Sequence, residues 1–134
     1  MTKYYYTPCR ELDECNELIA RYFLCEQYEK CFEGHMELAV KGYPLAECQV
    51  GYFYYEGLGV GKDLKKSFYW TKRAAEHGDR DAQNNLAELF YEIGVVVEKD
   101  IGEAREWYKK AALSGQTEAQ EKCRSLGIEF DADI

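Results

Sequence analysis

Three glycines at regular spacing divide this chain of 134 residues into copies of one unit. Gly42, Gly78 and Gly115 lie 36 and 37 residues apart, and an alanine follows each of them four residues later. The copies also match at Trp70 and Trp107, which stand 37 residues apart. A repeat of this length predicts a stack of small units, each of which contacts mainly its neighbours.

Each copy has the pattern of two helices joined by a turn. In the first clear copy, apolar side chains recur at helical spacing over residues 46–54, and the glycine-rich segment 57–61 follows. Asp63 is placed to cap a second helix, as Asp100 is in the next copy. His77 and the glycine after it predict the end of that helix, because a glycine can adopt the left-handed conformation required there.

The two ends of the chain depart from this pattern. Residues 1–42 form a weaker copy without the glycine turn, so a shorter link is predicted near Cys25 and Glu26. Thr117 has capping-box spacing for one more helix, which reaches about Ser125. The predicted organisation is a single repeat domain over 1–134, made of a degenerate repeat 1–42, repeats 43–78 and 79–115, a capping helix 116–127 and an acidic tail 128–134.

The first clear copy carries a recognisable set of residues. They are Tyr54, Gly57, Gly59, Val60, Asp63, Lys66, Trp70, Ala74, Ala75 and Gly78. This pattern resembles the Sel-1-like repeat, a relative of the tetratricopeptide repeat, and the likeness covers about residues 43–127. It implies an all-α fold: a short right-handed α-solenoid, or α/α superhelix, of about three helix-turn-helix repeats. The 36- and 37-residue spacing of the copies predicts six to seven helices. Trp70 and Trp107 are expected to be structural.

Charge and hydropathy limit the kinds of partner. With 17 basic and 25 acidic residues the net charge is −8, which argues against nucleic acid as a ligand and favours a basic protein or peptide. No apolar run is long enough to cross a membrane, and the first residues show no export signal. A cytoplasmic location is therefore expected, with no membrane partner.

The six cysteines are predicted to be free thiols. No Cys-x-x-Cys motif occurs, and without export the thiols stay reduced. Cys31 and His35 share a helix face, but two ligands do not make a zinc site. Some cysteine-rich sequences resembling this family, linked to β-lactam binding or hydrolysis, have a pair of cysteines eight residues apart in each repeat. Here Cys48 alone matches such a pair, so that activity is not carried over.

The sequence contains neither of two motifs that are common in enzymes. There is no Gly-x-Ser-x-Gly elbow, and the two histidines are explained otherwise: His77 as a helix C-terminal residue, His35 as a surface or packed one. The turn 57–61 lacks the Gly-Lys-Ser/Thr ending of a phosphate-binding loop. We therefore expect no catalytic residue, no cofactor and no metal.

The remaining candidate surface is formed by the first helices of the units. The resemblance implies that these helices line a concave side that binds partners. Counting 100° per residue, we predict that certain side chains point away from the core. The predicted partner-binding residues are Phe23, Cys48, Tyr52, Tyr55, Asn84, Glu88 and Tyr91. The alternative is that neighbouring repeats cover them.

Three functions compete at this point. The first is a non-catalytic interaction module that binds a protein or peptide on its concave face. The second is an immunity-type inhibitor, whose acidic charge would steer it onto a basic toxin or nuclease. The third, a hydrolase, is disfavoured because the sequence shows no nucleophile–base pair.

Overall fold

The computed structural model describes residues 8–89 and 101–130, and all regular structure in that part of the chain is helical. The seven helices are α1 (Pro8–Leu18), α2 (Tyr28–Val40), α3 (Pro44–Glu56), α4 (Leu64–Glu76), α5 (Arg80–Glu88), α6 (Ile101–Leu113) and α7 (Thr117–Leu126). Consecutive helices pack against each other in chain order, as in a helical solenoid. The predicted all-α solenoid is confirmed.

The glycines end the helices where the repeat predicts. Gly42, Gly78 and Gly115 follow the ends of α2, α4 and α6, with φ of 91°, 102° and 94°. Glycine adopts this left-handed conformation without the steric penalty of a Cβ atom. No helix within residues 8–89 and 101–130 is long and apolar enough to span a bilayer.

Helix caps follow the sequence in one case and correct it in another. The Asp63 carboxylate accepts a hydrogen bond from the Lys66 amide at 3.1 Å, so the predicted cap of α4 is confirmed. The N-cap of α7 is Gln116 rather than Thr117, because the Gln116 side chain accepts from the Ala119 amide at 2.6 Å. Asp100 lies outside the described residues.

The first unit consists of α1 and α2. α1 continues into a π-helical segment, Ile19–Phe23, and the chain then turns over residues 24–27. Glu26 has a φ of 60° in this turn. The shorter link therefore lies where it was predicted.

The loop between α3 and α4 is seated on the first unit. Gly57 and Gly59 have φ of 74° and 68°, and the Gly57 amide donates to the Phe53 carbonyl at 2.8 Å. A Cβ atom on Gly59 would overlap the Tyr28 carbonyl at the start of α2. Only a glycine at position 59 allows the loop backbone to approach the backbone of α2 this closely. The loop therefore holds the second unit against the first.

Alanine-rich clusters form the core at each junction between units. Ala74 and Ala75 of α4 pack with α5, and Ala111 and Ala112 of α6 pack with α7. Trp107 is half-buried and packs against both of these clusters. The Lys110 ammonium lies 4.4 Å from the centroid of its ring. The tryptophan therefore bridges two junctions while one part of it remains near solvent.

Candidate functional site

A groove opens between α3, α4 and α5, where the second and third units meet. Its volume is about 180 Å³. The residues that line it are Gly51, Tyr52, Tyr55, Glu56, Ser67, Thr71, Asn85, Glu88 and Leu89. Since α3 and α5 are the first helices of consecutive units, the groove lies on the helices that were predicted to bind a partner.

The floor of the groove depends on Gly51. The Gly51 carbonyl accepts a hydrogen bond from the Ser67 hydroxyl at 2.8 Å, and a Cβ atom on this glycine would overlap the Thr71 hydroxyl. Ser67 and Thr71 are both buried. The absence of a side chain at Gly51 thus lets α4 approach α3 closely and leaves space above the floor.

Two tyrosines stand at the rim of the groove. Tyr52 and Tyr55 are 42% and 38% exposed, although both rings are large and α3 is otherwise well packed. The Tyr52 ring contacts the buried Phe53 ring, with 5.9 Å between their centroids. The Lys62 ammonium lies 5.9 Å from the centroid of the Tyr55 ring. Both rings are thus supported from within the chain and reach solvent.

The polar part of the rim is acidic. Glu56 closes α3 and Glu88 closes α5, and both residues are exposed. Among the described residues that line the groove, these two carboxylates are the only charged groups. Asn85 is also exposed, and its side-chain nitrogen lies 3.9 Å from the Cys48 sulfur. An approaching group therefore meets aromatic rings, an amide and two negative charges.

Three of the seven predicted residues line this groove: Tyr52, Tyr55 and Glu88. The prediction that Asn84 faces away from the core is wrong, because Asn84 is 2% exposed and its neighbour Asn85 borders the groove instead. A helical-phase count assumes a core on one side of the helix. A helix inside a repeat array is also covered by neighbouring helices on its flanks.

The side chains of Cys48 and Phe23 pack against neighbouring residues of the chain, and neither lines the groove. Cys48 is half-buried against the cluster at the α4–α5 junction. Burial raises the pKa of its thiol well above the usual range, and the Asp79 carboxylate raises it further. The Phe23 ring contacts Tyr28 and Phe53, with centroid distances of 5.1 and 6.1 Å. Tyr91 lies outside the described residues.

A cysteine and a histidine meet inside the first unit. The Cys31 sulfur is 3.6 Å from Nδ1 of His35, and both residues are completely buried. Burial raises the pKa of the Cys31 thiol and lowers the pKa of His35. A reactive thiol requires the opposite, a lowered pKa and access to solvent. Of the two alternatives for His35, the packed one is confirmed, and the pair lacks the properties of a nucleophilic site.

No metal-binding arrangement is found in the described part of the chain. Within it, no group of three or more His, Cys, Asp or Glu side chains comes together that could hold a metal ion. No disulfide bond joins the cysteines whose side chains the structure describes.

The sequence analysis missed a buried carboxylate. Glu47 is completely buried in α3 and accepts hydrogen bonds from Nε of Arg73 at 3.2 Å and from Nδ1 of His77 at 2.7 Å. His77 caps the C-terminus of α4, as predicted, and in addition forms this pair. The three side chains connect α4 to α3 about one helical turn along α3 from Gly51.

The repeat register contains the signal that could have revealed Glu47. The equivalent residues are Gln83 and Gln120, whose amides donate to the Ala75 and Ala112 carbonyls at 3.2 and 3.1 Å. This position therefore sits at the junction with the preceding helix. An ionised glutamate cannot donate to such a carbonyl, which explains why Glu47 pairs with basic side chains.

Comparison with known families gives a consistent result. The Sel1 repeat model matches residues 44–79 and 80–116, which together make up more than half of the chain. Chitin synthase regulatory factor 3 of Schizosaccharomyces pombe is 35% identical over 78 residues, 58% of this chain and 8% of that protein. Chitin synthase regulator SKT5 of Malassezia restricta is 41% identical over 51 residues, 38% of this chain and 4% of that protein. The chain thus spans less than a tenth of the length of these curated relatives.

Two solved structures share the fold. A Sel1 repeat protein from Oxalobacter formigenes superposes with a TM-score of 0.75 at 32% identity, over 89% of this chain and 49% of that one. The protective antigen c5321 of uropathogenic Escherichia coli, which has an SLR fold, gives a TM-score of 0.74 at 32% identity, over 90% and 27% of the two chains. Both are longer arrays of which this chain matches a part.

Proposed function

Because the chain belongs to the Sel1 repeat family, we propose that it is a non-catalytic module that binds a protein or peptide partner in the groove between α3 and α5. Repeats of this family are generally protein–protein interaction modules. The observation that carries the proposal is the exposure of Tyr52 and Tyr55 beside a groove. Tyrosines supply large contact areas at little entropic cost, and aromatic residues are enriched at protein interfaces.

The names of the relatives fit this role. Two of them are called regulators of chitin synthase, and a regulator can act by binding without chemistry of its own. The net charge of −8 and the acidic rim favour a basic partner over nucleic acid or an acidic surface. The narrower hypothesis, an inhibitor of a basic toxin or nuclease, rests on the net charge alone and stays a prediction.

The proposal is tested with peptides selected from a random display library on the purified full chain. Affinities of the selected synthetic peptides are measured by fluorescence anisotropy for the parent and for Tyr52→Ala/Tyr55→Ala. We expect the double variant to bind at least about tenfold more weakly, because aromatic residues at an interface centre dominate its energy. Its melting temperature should stay close to that of the parent, since exposed side chains contribute little to stability.

Tyr69 provides the matched control. It is 53% exposed on α4 and does not line the groove. Tyr69→Ala should bind the selected peptides like the parent. Equal binding by the groove variant and the parent would refute the proposal. Unfolding of the groove variant would show that the rings serve packing between repeats, and this would refute it as well.

A further inference from the structure

We propose that the groove between α3 and α5 receives a tyrosine side chain of the partner. This inference rests on the proposed function and names the group that anchors there. Three observations support it: the rings that fill the equivalent space in the other two units, the hydroxyl of Thr71, and the charge at the rim.

The third unit fills the equivalent space with a tyrosine of its own. Tyr108 of α6 stands one repeat length, 37 residues, after Thr71. Its ring is buried and packs in one cluster with Ala87, the equivalent of Gly51 in the groove. From α7, the Lys122 ammonium lies 5.9 Å from the centroid of this ring. Between α5, α6 and α7 the Tyr108 ring therefore occupies the space that is open between α3, α4 and α5.

The first unit also has a ring at this position. His35 of α2 stands 36 residues before Thr71 and is completely buried, and its ring centroid is 5.6 Å from that of Phe53. Phe53 corresponds to Leu89, which lines the groove of the second unit. Of the three equivalent residues, Thr71 alone has no ring. The second unit thus leaves open a space in which the other two units place a ring.

The size of the groove fits one ring. Its volume of about 180 Å³ equals that of about six water molecules, enough for an aromatic side chain but not for a helix. Aromatic rings form favourable edge-to-face or offset contacts with one another, and Tyr52 offers a ring at the rim. An aromatic side chain therefore gains contacts at the rim as well as on the floor.

The Thr71 hydroxyl favours tyrosine over phenylalanine. Thr71 is 4% exposed, and its hydroxyl lies where a Cβ atom of Gly51 would be. Among the hydrogen bonds of the described residues, none involves this hydroxyl. A ring that enters from the partner reaches α4 with its tip, which places a phenol hydroxyl beside Thr71. A buried tyrosine hydroxyl usually finds such a hydrogen-bond partner.

The charge at the rim favours an unmodified tyrosine. Glu56 is exposed there, and no basic side chain lines the groove in the part of the chain that the structure describes. A phosphotyrosine carries about −1.5 to −2 charges at pH 7 and would be repelled. Phosphorylation of the partner's tyrosine should therefore release the partner.

Two peptide display libraries test the inference on the full chain. One has a fixed central tyrosine between randomised positions, and the other has leucine in its place. We expect the tyrosine library to give clearly more binders. In the selected peptides, tyrosine→phenylalanine should weaken binding roughly three- to tenfold, which corresponds to the loss of one hydrogen bond. Replacing the tyrosine by phosphotyrosine should weaken binding further.

The Thr71 hydroxyl is tested by coupling. In Thr71→Val the affinity ratio between tyrosine and phenylalanine peptides should fall towards one. Thr117→Val, which changes an exposed threonine of α7 outside the groove, should keep the ratio of the parent. A tyrosine library that gives no more binders than the leucine library would overturn the inference. An unchanged ratio in Thr71→Val would overturn it too.

The space itself is tested by filling it from within. Thr71→Tyr rebuilds the arrangement of the third unit, so it should remain folded and bind the selected peptides at least about tenfold more weakly. Normal binding by the folded variant would contradict the inference. Unfolding of this variant would contradict it as well, because the space would then not accept a ring.

These outcomes separate the inference from the proposed function. If peptides without tyrosine bind and lose affinity in Tyr52→Ala/Tyr55→Ala, the inference fails while the groove remains the binding site. If the double variant binds every selected peptide like the parent, both fail.

Discussion

Three glycines of one loop should respond to alanine in a graded way, and the gradation is set by what each Cβ atom meets. At Gly61 a Cβ atom has nothing within 4 Å. At Gly57 it lies 3.2 Å from Cβ of Lys62, and the backbone has a φ of 74°. At Gly59 the φ is 68°, and the Cβ atom overlaps the Tyr28 carbonyl group.

The magnitudes follow from these environments. A left-handed conformation costs a non-glycine residue about 1–2 kcal/mol. At Gly59 the overlap involves backbone of α2, which cannot rotate away, and overpacking adds about 1–3 kcal/mol. Alanine also restricts the unfolded chain, which stabilises the native state by about 0.4–1 kcal/mol. The net effect on the free energy of unfolding is a loss of about 2–4 kcal/mol at Gly59, a loss of about 1 at Gly57 and little change at Gly61.

Urea unfolding followed by far-ultraviolet circular dichroism measures the series. For a chain of this length, a loss of about 1 kcal/mol in the free energy of unfolding lowers the melting temperature by about 4 °C. Gly59→Ala should therefore melt roughly 10 °C below the parent. Hydrogen exchange should show lost protection in α1 and α2 but not in α7, because Gly59 joins the first unit to the second. Equal stability of Gly59→Ala and Gly61→Ala would refute the seating of this loop on α2.

Three further variants test the packing. Burial lowers the pKa of His35 below its ordinary value of 6.5. As the pH falls, this histidine is therefore protonated in the unfolded chain before it is protonated in the folded chain. The free energy of unfolding should therefore decrease as the pH falls below about 6.5, by up to about 1.4 kcal/mol per unit, and urea titrations of His35→Gln should show a shallower decrease. Arg73→Ala removes a partner of the buried Glu47 carboxylate and should lower the free energy of unfolding by about 1–3 kcal/mol. The control is Lys72→Ala, which changes the exposed neighbouring residue and should lower it by less than about 0.5 kcal/mol. Trp107→Ala should cost about 2–3 kcal/mol by urea unfolding, less than a fully buried tryptophan, and an unchanged midpoint would refute its bridging of two junctions.

The fold was predictable because its determinants are local and repeated. The glycines after α2, α4 and α6 and the Asp63 cap act within a few residues, so each is visible in the sequence. The cap of α7 was assigned one residue late because Gln116 and Thr117 both have side chains able to accept a hydrogen bond.

The site was predictable only in part because its determinants are not local. Tyr52 and Tyr55 were found from the phase of α3 alone. Asn84 was misplaced because its burial depends on neighbouring helices. Glu47 was missed because its partners, Arg73 and His77, lie 26 and 30 residues away. The position of a residue around its helix predicts whether its side chain faces the core of its own unit. It does not show whether a neighbouring unit covers that side chain.

The groove itself is tested most directly by mapping a bound peptide onto the backbone. Amide chemical shifts of the isotope-labelled chain are recorded as a peptide selected from the random library is added. Our account predicts that the largest changes occur over residues 51–56 and 85–89, with small changes around Tyr69 on α4. Largest changes in α1 and α2, or around Tyr69, with residues 51–56 unaffected, would contradict it.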